Sequence, residues 1–178
     1  MGDWDAFVRR HGPMVFGTAW RILGHTYDTE DVVQEVFLEA HHLQKQNKVR
    51  NWGGLLRQLA TFRALDKLRQ RRPTVGLDGV NVAERGGDPE ASAIGNELAV
   101  RLRRALTKLP PREAAVFCLH CFDDLSNQEI AEQLEISAGA VGVALHKARA
   151  RLEHLLAGHQ PPEPHQGEEP CSTIENPS

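Results

Sequence analysis

The feature that most constrains this chain is a pair of short helical patterns separated by a tight break, within residues 125–152. At the start of the first pattern, Ser126 stands at an N-cap position and Glu129 follows three residues later, which is the spacing of a capping box. The apolar residues at helical spacing are Ile130, Ala131 and Leu134 in the first pattern and Val141, Leu145, Ala148 and Leu152 in the second. Helices this short cannot each bury an apolar face alone, so the two must pack across each other. This is the layout of a helix-turn-helix, whose second helix enters the DNA major groove.

The charge of the second pattern favours DNA binding over the alternative, a helical hairpin in a structural bundle. No acid occurs between Ser137 and Leu152. The polar side chains on its outer face are all basic or potentially basic: His146, Lys147, Arg149 and Arg151. Cations on a groove-facing helix neutralise phosphates, whereas a structural hairpin has no need for charge of one sign.

The net charge of the whole chain conceals how its charge is distributed. The formal net charge of the 178 residues is only −3. Residues 57–72 nevertheless contain six Lys or Arg and one Asp, and residues 153–178 contain five Glu and no Lys or Arg. The charges of an acidic tail and a basic middle therefore cancel in the net charge of the whole chain. We find no signal peptide, no apolar run that could span a bilayer and only three cysteines, and we expect a cytoplasmic protein without membrane insertion.

Helical spacing of apolar residues along the rest of the chain predicts an all-α fold. We expect a short helix near the start and a second one that begins at Pro13 and ends at Gly24. Thr29 is expected to cap a third helix. A long helix should then run from about Trp52 to Arg72, and further helices should precede the helix-turn-helix.

Two segments show no helical period. Residues 73–89 contain four glycines and two prolines, which predicts a flexible linker. Residues 158–178 hold five of the ten prolines, which predicts a disordered acidic tail. The expected architecture is therefore two small helical domains, residues 1–72 and 90–157, whose relative orientation the linker leaves free.

Both halves of the chain resemble conserved regions of one bacterial family. The stretches YDTEDVVQEVFLEA at residues 27–40 and NWGGLLRQLATFRALDKLRQRR at residues 51–72 are similar to the second region of sigma-70 factors. Residues 106–152 resemble the fourth region nearly from end to end. Because two separate segments match in the right order, the chain resembles the small extracytoplasmic-function (ECF) sigma factors. The resemblance implies a non-enzymatic subunit that binds core RNA polymerase and promoter DNA.

The resemblance gives the third predicted helix a protein partner. In the family, the corresponding helix docks on the clamp helices of the largest polymerase subunit, and the polymerase flap is a further implied contact. The residues that this assigns to polymerase binding are Asp31, Gln34, Glu35 and Leu38. The alternative is an ordinary solvated helix face, which any charged helix would show.

The resemblance also places the opened −10 promoter element against the basic helix and the loop before it. Opened strands require cations that hold phosphates and aromatic faces on which bases stack. Trp52 lies at the loop–helix junction, where it can either stack on a base or pack in the core. The residues implied to bind this element are Lys48, Arg50, Asn51, Trp52, Arg57, Arg63, Lys67 and Arg71.

The helix-turn-helix departs from the family where it would meet the −35 element. Relatives often carry polar and basic residues where this chain has Ala140, Gly142 and Ala144, none of which can donate to a base edge. We therefore expect phosphate contacts, which position a protein without reading sequence. In the turn, Glu135 replaces a common glycine, and a left-handed backbone there costs on the order of 1 kcal/mol. The residues assigned to this element are Ser137, Gly139, Ala140, His146, Lys147, Arg149 and Arg151.

Cys118 and Cys121 have the two-residue spacing of a metal or thiol site. Zinc needs four ligands, and no second pair with this spacing exists. Both cysteines also follow the apolar period of a helix, which favours packing as small hydrophobic residues. We predict no metal, no cofactor and no catalytic site.

Two other functions compete with that of a promoter-specificity subunit. One is a stand-alone helix-turn-helix regulator that acts without polymerase. The other is a polymerase-binding decoy whose DNA contacts have decayed. Whether an anti-sigma factor or the acidic tail restrains the chain stays open at this point.

Overall fold

The computed structural model describes residues 2–45, 49–71 and 89–157. Within these ranges the chain is helical and contains no strand, which confirms the all-α prediction. The seven described helices are α1 (Gly2–Leu23), α2 (Thr26–Gln44), α3 (Trp52–Gln70), α4 (Pro89–Thr107), α5 (Pro111–Cys121), α6 (Asn127–Leu134) and α7 (Ala138–Ala157). The predicted tail and all of the predicted linker except Pro89 lie outside the described residues.

Helix α1 is one continuous helix that contains Pro13, so the predicted break at this residue is wrong. A proline inside a helix costs about 3 kcal/mol, because it lacks an N–H and clashes with the preceding turn. Apolar side chains on both sides of Pro13, among them Phe7 and Val15, pack into the same core. Burial of both segments against α2 and α3 keeps the helix continuous despite the proline.

The start of α2 also differs from the prediction. The helix begins at Thr26, and His25 occupies the N-cap position without a side-chain capping bond. Thr29 lies inside the first turn, fully buried, and its hydroxyl donates to the His25 carbonyl at 2.8 Å. The expected end of α1 at Gly24 is confirmed, since this glycine has a φ of +61°.

The N-terminal half is a bundle of α1, α2 and α3. Asn51 caps α3, and its side-chain oxygen accepts from the Gly54 N–H at 3.0 Å. The small side chains of Ala60 and Ala64 are fully buried on α3, which lets the helices approach closely. Larger buried side chains of this bundle include Val15, Ile22, Val32, Val36, Leu56 and Leu65.

The C-terminal half contains α4 to α7. Pro111 starts α5, where its missing N–H leaves no hydrogen bond unmade. The capping box of α6 is confirmed: the Glu129 carboxylate accepts from the Ser126 N–H at 2.8 Å, and the Ser126 hydroxyl accepts from the Glu129 N–H at 3.3 Å. A separate core under the helix-turn-helix includes Val116, Leu119, Ile130, Val141 and Leu145.

The two halves pack against each other in this structure. One apolar cluster contains both Leu56 of α3 and Leu106 of α4. On α4, Arg103 donates from Nε to the Ile22 carbonyl at 3.0 Å, at the end of α1. This packing departs from the expectation of two independently oriented domains, because the halves share buried apolar surface and polar contacts.

Candidate protein and nucleic-acid interfaces

The outer face of α2 carries the four residues that the sequence assigns to a protein partner. Asp31, Gln34, Glu35 and Leu38 are all exposed and repeat at helical spacing on one side of the helix. Leu38 is 64% exposed and does not belong to the apolar core of the described residues. The structure therefore brings an apolar contact point and two acids onto one accessible surface.

Three cations of α3 are paired with acids of α2. These pairs are Lys67 with Asp31 at 3.0 Å, Arg63 with Glu39 at 2.8 Å, and Arg71 with Asp28. All three cations were expected to face DNA phosphates. The acids that neutralise them lie on the helix that carries the predicted polymerase-binding residues.

The surroundings of Lys67 and Arg63 favour the charged form of these two side chains. The hydrogen bond to Asp31 raises the pKa of Lys67, and the hydrogen bond to Glu39 raises the pKa of Arg63. Exposed ion pairs contribute only about 0–1 kcal/mol, because water and salt screen them. Phosphates can therefore displace the acids from these cations without a large loss of stability.

The beginning of α3 is more closely integrated into the fold than a DNA-binding loop requires. Asn51 uses its side chain to cap the helix. Trp52 is partly buried against the core, with its ring centroid 5.2 Å from that of Phe7. Of the two alternatives for this tryptophan, packing in the core is the one that the structure shows. Arg50 is exposed. Lys48 lies outside the described residues.

Arg57 lies where the two halves meet. It is partly buried, and its Nε has no hydrogen-bond partner among the described residues. It lines a cavity of about 270 Å³ together with Arg21 and Asp123. Arg57 is therefore partly enclosed between the halves and less exposed than Arg63 and Arg71.

Asp123 forms the main polar contact between the halves. Its carboxylate accepts from the Thr18 hydroxyl at 3.0 Å and from Arg21 Nη1 at 2.6 Å, and its side chain is only 6% exposed. Burial raises the pKa of Asp123, while the Thr18 hydrogen bond and Arg21 oppose this shift. Sequence reasoning missed this residue, because its partners on α1 lie about a hundred positions away.

The turn of the helix-turn-helix has the backbone that its sequence predicts. Glu135 is left-handed, with φ 53° and ψ 46°, as expected for a position where relatives often have glycine. Ser137 caps α7, and its hydroxyl accepts from the Ala140 N–H at 3.1 Å. Ser137 therefore stabilises the N-terminal end of α7.

The exposed face of α7 contains Val143 and not the predicted Ala144. Ala144 is buried beside Val141 and Leu145, so the expectation that Ala140, Gly142 and Ala144 share the groove-facing side is wrong. Because an alanine fits both the buried and the exposed face of a helix, the sequence pattern could not decide on which face Ala144 lies. The exposed residues in the first half of α7 are Gly139, Ala140, Val143, His146 and Lys147.

The two arginines further along α7 differ in their surroundings. Arg149 and Arg151 are both exposed. Arg151 pairs with Glu113 of α5 at 2.8 Å, so an acid of the same half already neutralises it. Within the described chain, Arg149, Lys147 and His146 form no ion pair.

Comparison with known proteins agrees with this arrangement of two helical units. Residues 7–74 match the family Sigma-70 region 2, and residues 99–152 match Sigma-70, region 4. The ECF RNA polymerase sigma factor SigF of Caulobacter vibrioides is 31% identical over an alignment that covers 86% of this chain and 88% of the relative. The RNA polymerase sigma factor NccH of Alcaligenes xylosoxydans xylosoxydans is 30% identical, with coverage of 89% and 91%.

This chain belongs to the ECF sigma factors. It is also 30% identical to the ECF RNA polymerase sigma factor SigE of Mycolicibacterium smegmatis, of whose length the alignment covers 63%. Two solved structures share the fold of this sigma factor. CnrH in complex with the cytosolic domain of CnrY superposes with a TM-score of 0.60 at 24% identity and covers 88% of this chain and 89% of CnrH. The sigma factor RpoE in complex with the anti-sigma factor NepR from Bartonella quintana gives 0.56 at 16% identity, with coverage of 90% and 100%.

The cysteines of this sigma factor are placed differently from each other on α5. Cys118 is buried in the core, and burial strongly raises the pKa of its thiol, whereas Cys121 is exposed. Among the residues that the structure describes, no group of three or more His, Cys, Asp or Glu side chains is arranged to hold a metal ion. No helix in the described ranges is long and apolar enough to cross a membrane.

Proposed function

We propose that this sigma factor binds core RNA polymerase, directs it to specific promoters and assists DNA opening. The observation that carries the proposal is the presence, in one chain, of both sigma regions, each with an accessible surface of the appropriate chemistry. Residues 1–72 would bind polymerase and the −10 element, and residues 90–157 would bind the −35 element.

The polymerase contact of this proposal is the outer face of α2. The exposed Leu38 supplies apolar area, and Asp31 and Glu35 supply charge that suits a basic partner surface. Interfaces commonly combine an apolar centre with a polar rim. A face of this composition fits the clamp helices of the largest subunit better than it fits DNA, because acids next to phosphates repel.

The −35 contact of this proposal is the exposed side of α7. His146, Lys147 and Arg149 form no ion pair with described residues and can approach phosphates, while Arg151 must first leave Glu113. Ser137, Gly139 and Ala140 lie at the end of the helix that enters the groove first. Each phosphate that a cation neutralises steepens the salt dependence of binding.

The −10 contact of this proposal requires an exchange of partners. Arg63, Lys67 and Arg71 can hold the opened strand only when their phosphate contacts replace the acids of α2. Because each exposed pair is weak, the exchange costs little. Arg50 and the residues at the start of α3 complete the surface, whereas Arg57 is partly buried where the two halves meet.

An anti-sigma factor is a further proposed partner. RpoE from Bartonella quintana is in complex with the anti-sigma factor NepR, and CnrH is in complex with the cytosolic domain of CnrY. This chain has the same fold, and we propose that a regulatory protein occupies its polymerase-binding face. Such a partner would compete with core polymerase for α2.

Reconstituted transcription tests the proposal against its alternatives. Purified core polymerase is combined with the full chain and presented with a promoter selected from randomised duplexes. A sigma factor yields promoter-directed transcripts only when the chain is added. A stand-alone regulator would bind duplex DNA without joining polymerase, and a decoy would join polymerase without starting transcription. Either of these two outcomes would overturn the proposal.

A further inference from the structure

Val143 is an apolar residue on α7 that the fold does not use. Its side chain is 56% exposed, and it belongs to neither apolar cluster of the described residues. A β-branched residue is also a poorer helix former than alanine, by a few tenths of a kcal/mol. Neither packing nor helix propensity therefore accounts for valine at this position.

The position of Val143 distinguishes it from scattered exposed apolar residues, which are common on protein surfaces. Gly139 and Ala140 lie one turn before it, and His146 and Lys147 lie one turn after it, on the same exposed face. Val143 thus occupies the centre of the face that a helix-turn-helix presents to the major groove.

The neighbours of Val143 leave room for close approach to DNA. Gly139 and Ala140 carry little or no side chain, so nothing longer projects between the first turn of α7 and the bases. On the following turn, Lys147 can reach a phosphate at the edge of the groove. The small residues would place Val143 near the groove floor, and the cation would hold the helix there.

The chemistry of the groove limits what a valine can read. Its two methyl groups neither donate nor accept hydrogen bonds, so they cannot recognise the polar edges of the bases. The one apolar group that a base pair presents in the major groove is the C5-methyl group of thymine. A valine at the centre of the groove-facing surface would therefore favour thymine over the other bases.

We propose that Val143 reads one thymine of the −35 element through its C5-methyl group. This inference rests on the proposed function, since it assigns a specificity-determining residue within the proposed −35 contact. It replaces the expectation that the tip of α7 reads no base. Sequence reasoning missed Val143 because the apolar pattern did not reveal which of Val143 and Ala144 faces outward.

Replacement of thymine by uracil tests the contact, because uracil lacks only the C5-methyl group. Holoenzyme made from core polymerase and the full chain first selects its upstream element from randomised duplexes. Each thymine on both strands is then replaced singly by uracil, and the Kd is measured for wild-type and Val143→Ala holoenzymes. The control is Leu98→Ala, which removes an equally exposed apolar side chain from α4.

We expect the effect of the uracil replacement and the effect of Val143→Ala to be coupled at a single thymine of the upstream element. At that thymine, uracil weakens wild-type binding by about fourfold, the effect of one buried methyl group. Val143→Ala holoenzyme binds thymine and uracil equally there, while Leu98→Ala holoenzyme retains the full difference. Because alanine is the better helix former, the Val143→Ala variant should fold normally.

Two outcomes would overturn the inference. If uracil has the same effect in Val143→Ala as in wild type at every position, or no effect at any position in wild type, Val143 does not read thymine. The proposed function would survive either result as long as promoter-directed transcription persists. Failure of the holoenzyme to select any sequence would remove both the inference and the proposed function.

Discussion

Lys67 of α3 donates a hydrogen bond to Asp31 of α2 at 3.0 Å, so one ion pair joins the proposed DNA surface to the proposed polymerase surface. Asp31 cannot make its full contact with a basic partner and also hold Lys67 in its present place. The two binding events are therefore linked through shared charge. Polymerase that engages Asp31 would release Lys67 for phosphate.

The first prediction follows from this pair. Asp31→Asn should raise the affinity of the free chain for single-stranded DNA carrying a −10 element about two- to fivefold at low salt, because Lys67 loses its competing acid. If Lys67 then reaches a phosphate, the salt slope should steepen by about 0.7. Fluorescence anisotropy of a labelled oligonucleotide at several salt concentrations measures both quantities.

Glu30→Gln provides the matched control for this prediction. Glu30 lies next to Asp31, is exposed and forms no ion pair with described residues, so its removal changes the net charge equally without releasing a cation. An equal gain in both variants would show that general repulsion, and not the pair, limits DNA binding.

The second prediction concerns Lys147 and Arg151 of α7. Lys147→Ala should weaken binding of the holoenzyme to upstream duplex DNA and reduce its salt slope by about 0.9, the share of one phosphate contact. Arg151→Ala should change the slope much less, because Glu113 already neutralises this arginine at 2.8 Å. Binding titrations across a range of salt concentrations measure the salt slope of each variant. Equal losses in the two variants would contradict the difference that the structure indicates.

The third prediction concerns Gly24, whose φ of +61° ends α1. A Cβ atom at this residue would lie 2.3 Å from Nη2 of Arg103, which is too close for the guanidinium to stay in place. Gly24→Ala should therefore lower the free energy of unfolding by about 2 kcal/mol, from left-handed strain and the displaced arginine.

Gly95→Ala is the control for this substitution, since Gly95 lies inside α4 and a Cβ atom there has no neighbouring atom from another part of the fold within 4 Å. This change should leave stability unchanged or raise it by up to about 1 kcal/mol. Chemical denaturation compares the two variants with wild type. Similar stability of the Gly24 variant and wild type would count against the close packing of Arg103 on α1.

The fourth prediction is a pH dependence that originates at Asp123. Burial raises the pKa of this carboxyl, so the folded chain takes up its proton more readily than the unfolded chain does. The contribution of Asp123 to stability is consequently largest below its unfolded pKa and is lost as the pH rises through the folded pKa. Wild type should thus gain stability relative to Asp123→Asn as the pH falls from neutral into the mildly acidic range.

Asp124→Asn serves as the comparison for this measurement, because Asp124 is the exposed neighbour of Asp123. This variant removes the same charge from an exposed position next to Asp123, and it shows how much of any pH dependence comes from the change in net charge alone. If the stability difference between wild type and Asp123→Asn were constant over this pH range, the carboxyl of Asp123 would not be buried between the two halves.

The fifth prediction concerns the reactivity of the two cysteines on α5. Under native conditions iodoacetamide should alkylate Cys121 and spare Cys118, because burial shields the latter and raises the pKa of its thiol. In denaturant both should react. A Cys171→Ser background removes the remaining thiol from the assay. Rapid native labelling of Cys118, read by mass spectrometry, would show that α5 opens readily.

Features that depend on nearby residues could be predicted from the sequence by itself. The capping box of Ser126 and Glu129 is confirmed, as are the left-handed Glu135 and the buried stripe of α7. These features arise from hydrogen bonds across three or four residues and from the helical repeat of apolar side chains. The family resemblance could be recognised for the same reason, since both regions are continuous segments with local patterns.

Features that depend on distant residues were decided only by the tertiary structure. Pro13 stays helical because apolar residues on both sides of it pack into one core. Trp52 packs against the core, and Ala144 turns inward while Val143 remains exposed. The pairing of Lys67 with Asp31 spans 36 positions, and that of Thr18 with Asp123 spans 105. No local pattern encodes such contacts, because they exist only when whole helices have been brought together by the burial of their apolar faces.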